Sequence, residues 1–179
     1  MQPKNSSMNE RPILCLDVDG PLALIGNPKS KDVREKVIDS IPVVVSKRLP
    51  AILSELSRHF RIIWSSSWGK RASYKIAPFV GLPEGLPFIN FDLYPKAKVG
   101  ESIKLPGLKA WLKDSPAAIV DDEIGADMKS WASSRPLTLL LEIDPRFGLV
   151  DRHLKELVSF ADQVRLSLGF GEQRNVKLS

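Results

Sequence analysis

Two kinds of hydrophobic pattern alternate along the chain. Short runs of consecutive apolar residues, typical of strands buried on both faces of a parallel sheet, lie at 13–16, 62–64, 117–120 and 137–143. Segments in which apolar residues recur at helical spacing lie at 49–60, 105–112, 128–132 and 154–164. Strands that alternate with helices form parallel sheets covered by helices. The pattern therefore predicts a three-layer α/β/α sandwich with a mainly parallel, Rossmann-like sheet.

The same pattern gives the limits of the predicted domain. We expect a single domain at 11–168, because the periodic segments lie within it. Both ends of the chain are polar and aperiodic, which predicts a disordered N-terminus at 1–10 and a flexible tail at 169–179. Asp151 precedes the last helical pattern and is a plausible N-cap for that helix.

Two stretches do not follow the alternation, residues 21–45 and residues 79–100. In the second stretch, Pro83, Pro87 and Pro95 break any long helix or strand. We expect both stretches to be loops or small insertions over one edge of the sheet, which is where ligands bind in open α/β folds.

Composition narrows the class of protein. The 179-residue chain has one cysteine, Cys15, and no Cys/His pair at the spacing of a structural zinc site, which excludes a disulfide scaffold and a zinc finger. We expect Cys15 to pack within a buried strand. No apolar run approaches the roughly 20 residues that cross a bilayer, and the first residues lack the apolar stretch of a signal peptide. We therefore expect a cytoplasmic protein with no membrane partner.

Positive charge is unevenly distributed along the chain. The net charge is +5, and no acidic residue lies between Glu55 and Glu84. This acid-free stretch contains the basic residues Arg58, Arg61, Lys70, Arg71 and Lys75. Such a stretch attracts anions, either a small anionic substrate or nucleic acid. An ordinary solvated surface produces the same charge pattern.

Acidic residues directly follow the first predicted strand. The strand ends in Asp17 and Asp19, and Gly20 permits the backbone turn that brings both carboxylates to one side. A carboxylate at this position can act as a nucleophile or a metal ligand, and a second acid can act as general acid and base. A simple turn at the end of a strand also fits this sequence when it is taken alone.

A later strand also ends in acids. Asp121, Asp122 and Glu123 follow it directly, and Asp127 lies four residues beyond Glu123. Adjacent carboxylates repel one another unless a cation compensates, and together with Asp17 they could supply the oxygen ligands that Mg²⁺ prefers. Alternatively, the acids stabilise the amino-terminal end of the helix that follows.

Hydroxyl groups follow the strand at 62–64. Ser65, Ser66 and Ser67 can hydrogen-bond a phosphoryl oxygen without adding charge, and a hydroxyl-rich loop is the alternative interpretation. A serine nucleophile is less favoured, because neither of the two histidines lies at a strand end where a base would be expected.

The combination of these strand ends resembles the haloacid dehalogenase (HAD) superfamily of phosphohydrolases. The resemblance extends over residues 12–162 to small bacterial HAD-like domains. It comprises five motifs: DVDG (17–20), WSSSW (64–68), KLP (104–106), VDDE (120–123) and DPRFGL (144–149). The chain departs from the family pattern at Pro21, where relatives usually have a branched apolar residue, and at Ser66, where threonine is commoner.

The resemblance implies roles for four catalytic residues. Asp17 corresponds to the nucleophile and Asp19 to the general acid and base. Ser66 corresponds to the hydroxyl of the second motif and Lys104 to the lysine of the third. The alternatives to Ser66 are Ser65 and Ser67, and the alternatives to Lys104 are Lys98 and Lys109.

The resemblance also implies a magnesium site. Mg²⁺ would be held by Asp17, by the backbone carbonyl of Asp19, and by the acids of the fourth motif, Asp121 and Asp122. Asp127 corresponds to the trailing acid of that motif. In this interpretation the metal is required for activity, because a phosphate dianion is repelled by the carboxylates.

These roles imply a Mg²⁺-dependent phosphomonoesterase that forms an aspartyl-phosphate on Asp17. The substrate would be a phosphorylated small molecule or nucleotide, and a phosphorylated end of RNA or DNA is also compatible. The intervals 21–45 and 69–103 are too short for a large cap domain, so we expect a minimal cap or none. Two alternatives remain: a non-catalytic HAD-like module that binds nucleic acid or a protein through the acid-free stretch, and a phosphotransferase with an acceptor other than water.

Overall fold

Strands and helices alternate along most of the chain. The computed structural model describes residues 11–26, 28 and 32–169. In chain order the elements are strand β1 (Ile13–Leu16), strands β2 (Val33–Ile38) and β3 (Ile41–Ser46), helix α1 (Leu49–His59), strand β4 (Arg61–Trp64), a π-helical turn (Ala72–Ile76) that continues into helix α2 (Ala77–Val80), a 3₁₀ turn (Phe91–Leu93), helix α3 (Leu105–Leu112), strand β5 (Ala117–Asp121), helix α4 (Ala126–Ser133), strand β6 (Thr138–Glu142) and helix α5 (Asp151–Ser167).

Four of the strands form one parallel sheet in the order β4-β1-β5-β6. In the register of the sheet, Cys15 of β1 lies opposite Ile63 of β4 and Ile119 of β5, and Asp121 of β5 lies opposite Glu142 of β6. The carboxyl ends of β4, β1 and β5 are therefore adjacent at one edge. The predicted parallel sheet in a mixed α/β fold is confirmed.

Helices cover both faces of this sheet. Because successive side chains of a strand point to opposite faces, Leu14 packs in one apolar cluster with α1 and α5, whereas Ile13 packs in a second cluster with α3 and α4. Cys15 belongs to the second cluster and is fully buried, as predicted. Burial raises the pKa of the Cys15 thiol, so it behaves as an apolar side chain in the packing of the sheet.

The stretch at 21–45 contains a β-hairpin that the sequence pattern did not predict. Strands β2 and β3 pair antiparallel, and the turn residues Asp39 and Ser40 both have positive φ (50° and 65°). Positive φ at both central residues is the geometry of a type I′ hairpin turn. The expected loop or small insertion is therefore an ordered hairpin. Val43 and Val45 of β3 are buried in the core.

In the stretch at 79–100, residues 79–80 end helix α2, and residues 87–89 lie along the free edge of β4. Trp64 donates its N–H to Pro87 O (2.9 Å) and accepts at its own O from Ile89 N–H (2.9 Å). This short bridge covers the carboxyl end of β4, and it brings residues 87–91 to the edge of the sheet where β4 ends. Apart from the 3₁₀ turn, the described residues from 82 to 100 contain no helix or strand, as their prolines predict.

The prediction that Asp151 caps the last helix is wrong by one residue. Val150 is extended (φ −131°, ψ 171°) and occupies the N-cap position, and Asp151 begins the helix. The Asp151 carboxylate instead accepts two hydrogen bonds from Arg48 Nη2 (2.8 and 2.9 Å). A carboxylate in the first turn still interacts favourably with the helix dipole, which is why the two positions are hard to distinguish in a sequence.

Two terminal segments lie outside the described residues. They are residues 1–10, which were predicted to be disordered, and residues 170–179, which are most of the predicted flexible tail. Over the range that the structure describes, none of the helices has the length and apolar character needed to cross a membrane.

Candidate active site

Three carboxylates meet at the carboxyl edge of the sheet. Asp17 directly follows β1, Asp121 is the last residue of β5, and Asp122 follows it. Each offers an oxygen that lies within 4.8 Å of the oxygens of the other two. Their convergence follows from the topology, because β1 and β5 are neighbouring parallel strands that end at the same level. The three residues line a cavity of about 470 Å³ together with Lys104.

Lys104 places its ammonium group between two of these carboxylates. Its Nζ lies 2.8 Å from Asp17 Oδ2 and 2.6 Å from Asp121 Oδ2. Of the three candidate lysines, Lys104 is the one that contacts the carboxylates, whereas Lys98 and Lys109 are exposed. The structure therefore brings Lys104 to the carboxylates, and its catalytic role stays a prediction.

Asp127 holds the segment that leads to Lys104. It lies in the first turn of α4, and its Oδ2 accepts a hydrogen bond from Ser102 N–H (2.7 Å). Lys104 immediately precedes α3, so this bond fixes the approach of the lysine to the sheet edge. Asp127 is not a member of the three-carboxylate group. Its contact indicates a positioning role.

Negative charge is in excess at the sheet edge. Burial raises the pKa of Asp121 to about 6, and the nearby charge of Asp17 adds to this, although Lys104 opposes it. Burial and Asp17 also raise the pKa of Asp122. Burial lowers the pKa of Lys104, but attraction to Asp17 and Asp121 outweighs burial and the net shift is upward. One ammonium therefore faces three carboxylates, an arrangement that a divalent cation would neutralise.

Gly20 allows the turn after β1 to approach Asp122 closely. Its φ is +83°, and a Cβ at this position would lie 2.5 Å from both Cβ and Cγ of Asp122. Real Cβ atoms do not approach other heavy atoms this closely, so any other residue would displace the Asp122 side chain or the turn. The glycine of the DVDG motif is therefore required by packing within the site.

Asp19 points to a different partner from the other acids. It is half-buried, and its Oδ2 accepts a hydrogen bond from the Trp68 indole N–H (3.0 Å). Burial raises the pKa of Asp19, and the Trp68 bond partly opposes this. The Asp19 side chain is not in the three-carboxylate group, so a metal contact through its backbone carbonyl stays a prediction. No role for Trp68 was predicted, because a contact across 49 residues has no signal in the sequence.

The three serines of the second motif differ in their surroundings. Ser65 and Ser66 are buried and Ser67 is exposed. Ser66 and Ser67 line a second cavity, of about 460 Å³, which Lys104 also borders. Ser65 Oγ has no hydrogen-bond partner among the described residues, and its N–H continues the sheet ladder. Ser66 and Ser67 thus both share a cavity with Lys104, and the choice of Ser66 for the second motif stays a prediction.

The DPRFGL motif forms hydrogen bonds with the turn that follows β1. Leu149 N–H donates to Pro21 O (2.8 Å), and Ile25 N–H donates to Pro145 O (3.0 Å). Gly148 has φ +64°, and a Cβ there would lie 3.0 Å from Pro21 O. These contacts hold the turn that contains Asp19 and Gly20 against the loop after β6. No role was predicted for this motif, and its contacts indicate a structural one.

Comparison with known proteins leaves the family open. The chain matches no protein-family model, and no curated protein is significantly similar to it. The resemblance to the HAD superfamily therefore stays a prediction from the motifs. The contacts described above are what support a functional assignment.

Proposed function

We propose that the protein is a Mg²⁺-dependent phosphohydrolase of the HAD type that cleaves phosphomonoesters through a phosphoryl group on Asp17. The observation that supports this most directly is the placement of the Asp17 carboxylate beside the Lys104 ammonium and the Asp121–Asp122 pair. A nucleophile, a cation for the transferring oxygens and a set of metal ligands are the components that phosphoryl transfer requires.

The carboxylate group fits Mg²⁺ in its donor chemistry. Mg²⁺ prefers hard oxygen ligands, and the group consists of Asp17, Asp121 and Asp122 without histidine or cysteine. When bound there, the cation would neutralise the carboxylates and polarise the phosphoryl oxygens. Without it, each carboxylate about 4 Å from a phosphate charge costs about 4 kcal/mol at an effective dielectric near 20.

The first step uses the fixed orientation of Asp17. Its Oδ1 accepts a hydrogen bond from Val18 N–H (2.8 Å), and its Oδ2 accepts one from Lys104. One Asp17 oxygen attacks phosphorus, and the bond from phosphorus to the leaving oxygen breaks. Asp19, held by Trp68, donates a proton to that oxygen. Lys104 and Ser66 bind the oxygens of the transferring group, where negative charge is concentrated.

The second step regenerates the enzyme. A water molecule attacks the phosphorus of the aspartyl-phosphate, and the bond from phosphorus to the Asp17 oxygen breaks. Asp19, deprotonated in the first step, accepts the proton of the attacking water. Inorganic phosphate leaves, and Asp17 returns to its carboxylate form. A single acid therefore acts first as a proton donor and then as a proton acceptor.

A turnover screen tests the proposal. Varied phosphomonoesters are incubated with the protein in Mg²⁺ and in EDTA, and inorganic phosphate is measured. We expect phosphate release that requires Mg²⁺. In Asp17→Asn it should fall to background, because the asparagine side chain keeps the shape of aspartate but cannot act as the nucleophile. Asp162→Asn, on the exposed face of α5, is the matched control and should retain full activity. Appreciable turnover by a folded Asp17→Asn preparation would exclude Asp17 as nucleophile.

Two cations next to the site favour one alternative, a module that binds nucleic acid. Lys70 lines the same cavity as Ser66, and the Arg71 guanidinium lies 4.8 Å from the centre of the Trp68 ring. Strongly salt-dependent binding of an oligonucleotide without any turnover would support this alternative. In an active enzyme, a Lys70→Ala/Arg71→Ala double variant should raise KM for a phosphorylated oligonucleotide more than for a small phosphomonoester.

A further inference from the structure

A cavity of about 460 Å³ adjoins the carboxylate group on the side of β4. Ser66 and Lys104 border it, and both are residues proposed to bind the transferring phosphoryl group. Lys104 also borders the cavity of the three carboxylates, so the two cavities meet at its side chain. The volume is in the range of small-molecule sites. A phosphoryl group held by Ser66 and Lys104 would therefore lie next to this cavity, which has room for the rest of the substrate.

Two aromatic rings form part of the cavity wall. Phe91 lies directly against α3, because a Cβ at Gly107 would lie 2.8 Å from the Phe91 ring. Phe88 belongs to the segment that bridges to Trp64 at the end of β4. Both rings are only partly buried, so each retains surface that faces the cavity. Rigid, partly exposed aromatic rings are the surfaces on which nucleobases stack.

Polar groups accompany the rings. Asn90 lies between the two phenylalanines in sequence, and its Oδ1 accepts a hydrogen bond from Asp92 N–H (3.2 Å), which orients the amide. Asp92 and Lys70 also line the cavity. The amide and ammonium can donate hydrogen bonds, and the carboxylate can accept them. The hydrogen-bond donors and the acceptor match the polar edge of a nucleobase, and the aromatic rings match its faces.

We propose that this cavity binds the base of the substrate, and that the substrates are nucleoside monophosphates. The inference rests on the proposed phosphohydrolase function, since it assigns the leaving group of that reaction. The base stacks on Phe88 and Phe91, and its edge contacts Asn90. An alkyl phosphate or a simple sugar phosphate would leave the aromatic rings in contact with water. The rings would therefore add nothing to the affinity for such a substrate.

The test compares a nucleotide with a phosphate ester that has no ring. Values of kcat/KM are measured for adenosine 5′-monophosphate and for glycerol 2-phosphate. In Phe88→Leu, which stays apolar but lacks the ring, we expect the nucleotide value to fall by roughly 5- to 150-fold, the usual effect of losing one stacking partner. The glycerol phosphate value should not change. Phe88→Tyr keeps the ring and should retain the preference for the nucleotide.

A neighbouring apolar side chain supplies the matched control. Leu93 is 76% exposed in the same segment and does not line the cavity, so Leu93→Ala should leave both values unchanged. Equal values for the two substrates in the parent protein, with no selective loss in Phe88→Leu, would overturn the base site while the phosphohydrolase function stands.

Direct binding separates the two proposals if neither substrate is hydrolysed. Calorimetry with adenosine 5′-monophosphate then compares the parent with Phe88→Leu and Asn90→Ala. Binding that weakens in both variants supports the base site, and the phosphohydrolase function alone fails when the turnover screen also shows no phosphate release. Absence of binding, or binding that is equal in all three proteins, overturns the base site. Thermal unfolding of each variant verifies that it is folded.

Discussion

Replacing Lys104 with methionine should destabilise the metal-free protein strongly. The Lys104 ammonium contacts Asp17 and Asp121, whose side chains are only 7% and 1% exposed. Methionine has nearly the same length and apolar stem, so packing is largely preserved. The substitution therefore removes the positive charge and leaves two buried carboxylates without a counter-charge.

The expected loss of stability follows from the distances between the Lys104 ammonium and the two carboxylates. At 2.8 and 2.6 Å, an effective dielectric of about 20 gives an attraction of about 6 kcal/mol for each pair. Much of this attraction is offset by the cost of burying the ammonium, and removal of one partner of a buried pair typically costs about 3–5 kcal/mol. We expect the free energy of unfolding to fall by about 3–5 kcal/mol in Lys104→Met at about pH 8.

The loss of stability in Lys104→Met should depend on pH. The pKa of Asp121 is raised to about 6, above its ordinary value of 3.8, so the folded state binds this proton more tightly than the unfolded state does. This group stabilises the fold at low pH, and the contribution is lost as the pH rises through about 6. Without Lys104 the pKa rises further, so protonation of Asp121 at about pH 5 should remove much of the penalty.

Urea unfolding in EDTA, followed by tryptophan fluorescence at about pH 8 and about pH 5, measures both effects. Lys109→Met is the matched control, because Lys109 lies on α3 near Lys104 but is exposed. We expect little change in this control at either pH. A loss in Lys104→Met that does not exceed that of the control, or that is equal at the two pH values, would refute the electrostatic account of the site.

Two further variants test contacts around the turn after β1. Gly20→Ala should abolish Mg²⁺-dependent turnover, because its Cβ would lie 2.5 Å from Asp122. Gly26→Ala has a similar φ of +76° but open space around it and should stay active, as phosphate release would show. Trp68→Phe removes the indole donor to Asp19, the proposed general acid, and should lower kcat about tenfold with little change in KM. Trp111→Phe is the control and should leave kcat unchanged. Equal kinetics in the two variants would exclude a role of Trp68 in positioning Asp19.

The sheet edge was predictable because it depends on patterns that are local in the sequence. Each buried apolar run predicts a strand, and the acid that follows it must lie at the carboxyl end of that strand. Asp17 and Asp121 could thus be placed together once the sheet was taken as parallel. The choice of Lys104 came from the family motif and from its position ahead of the helix that leads to Asp121, and Lys98 and Lys109 were the alternatives.

The remaining features depend on contacts between distant parts of the chain. The bond from Trp68 to Asp19 spans 49 residues and is set by how the loops after β4 and β1 pack. The hairpin was missed because its turn, Asp39–Ser40, lacks the glycine that usually marks such turns, although the β-branched run of β3 was a signal. The N-cap error at Asp151 reflects the similar preference of acids for the cap and the first turn.

A covalent phosphoryl group on Asp17 is the most direct test of the proposed chemistry. The protein is mixed with Mg²⁺ and a substrate found in the turnover screen, quenched in acid within one turnover, digested and examined by mass spectrometry. We predict one phosphoryl group on the peptide that contains Asp17, and none in EDTA or in Asp17→Asn. Mg²⁺-dependent turnover with the phosphoryl group on another residue, or undiminished turnover in Asp17→Asn, would contradict the account.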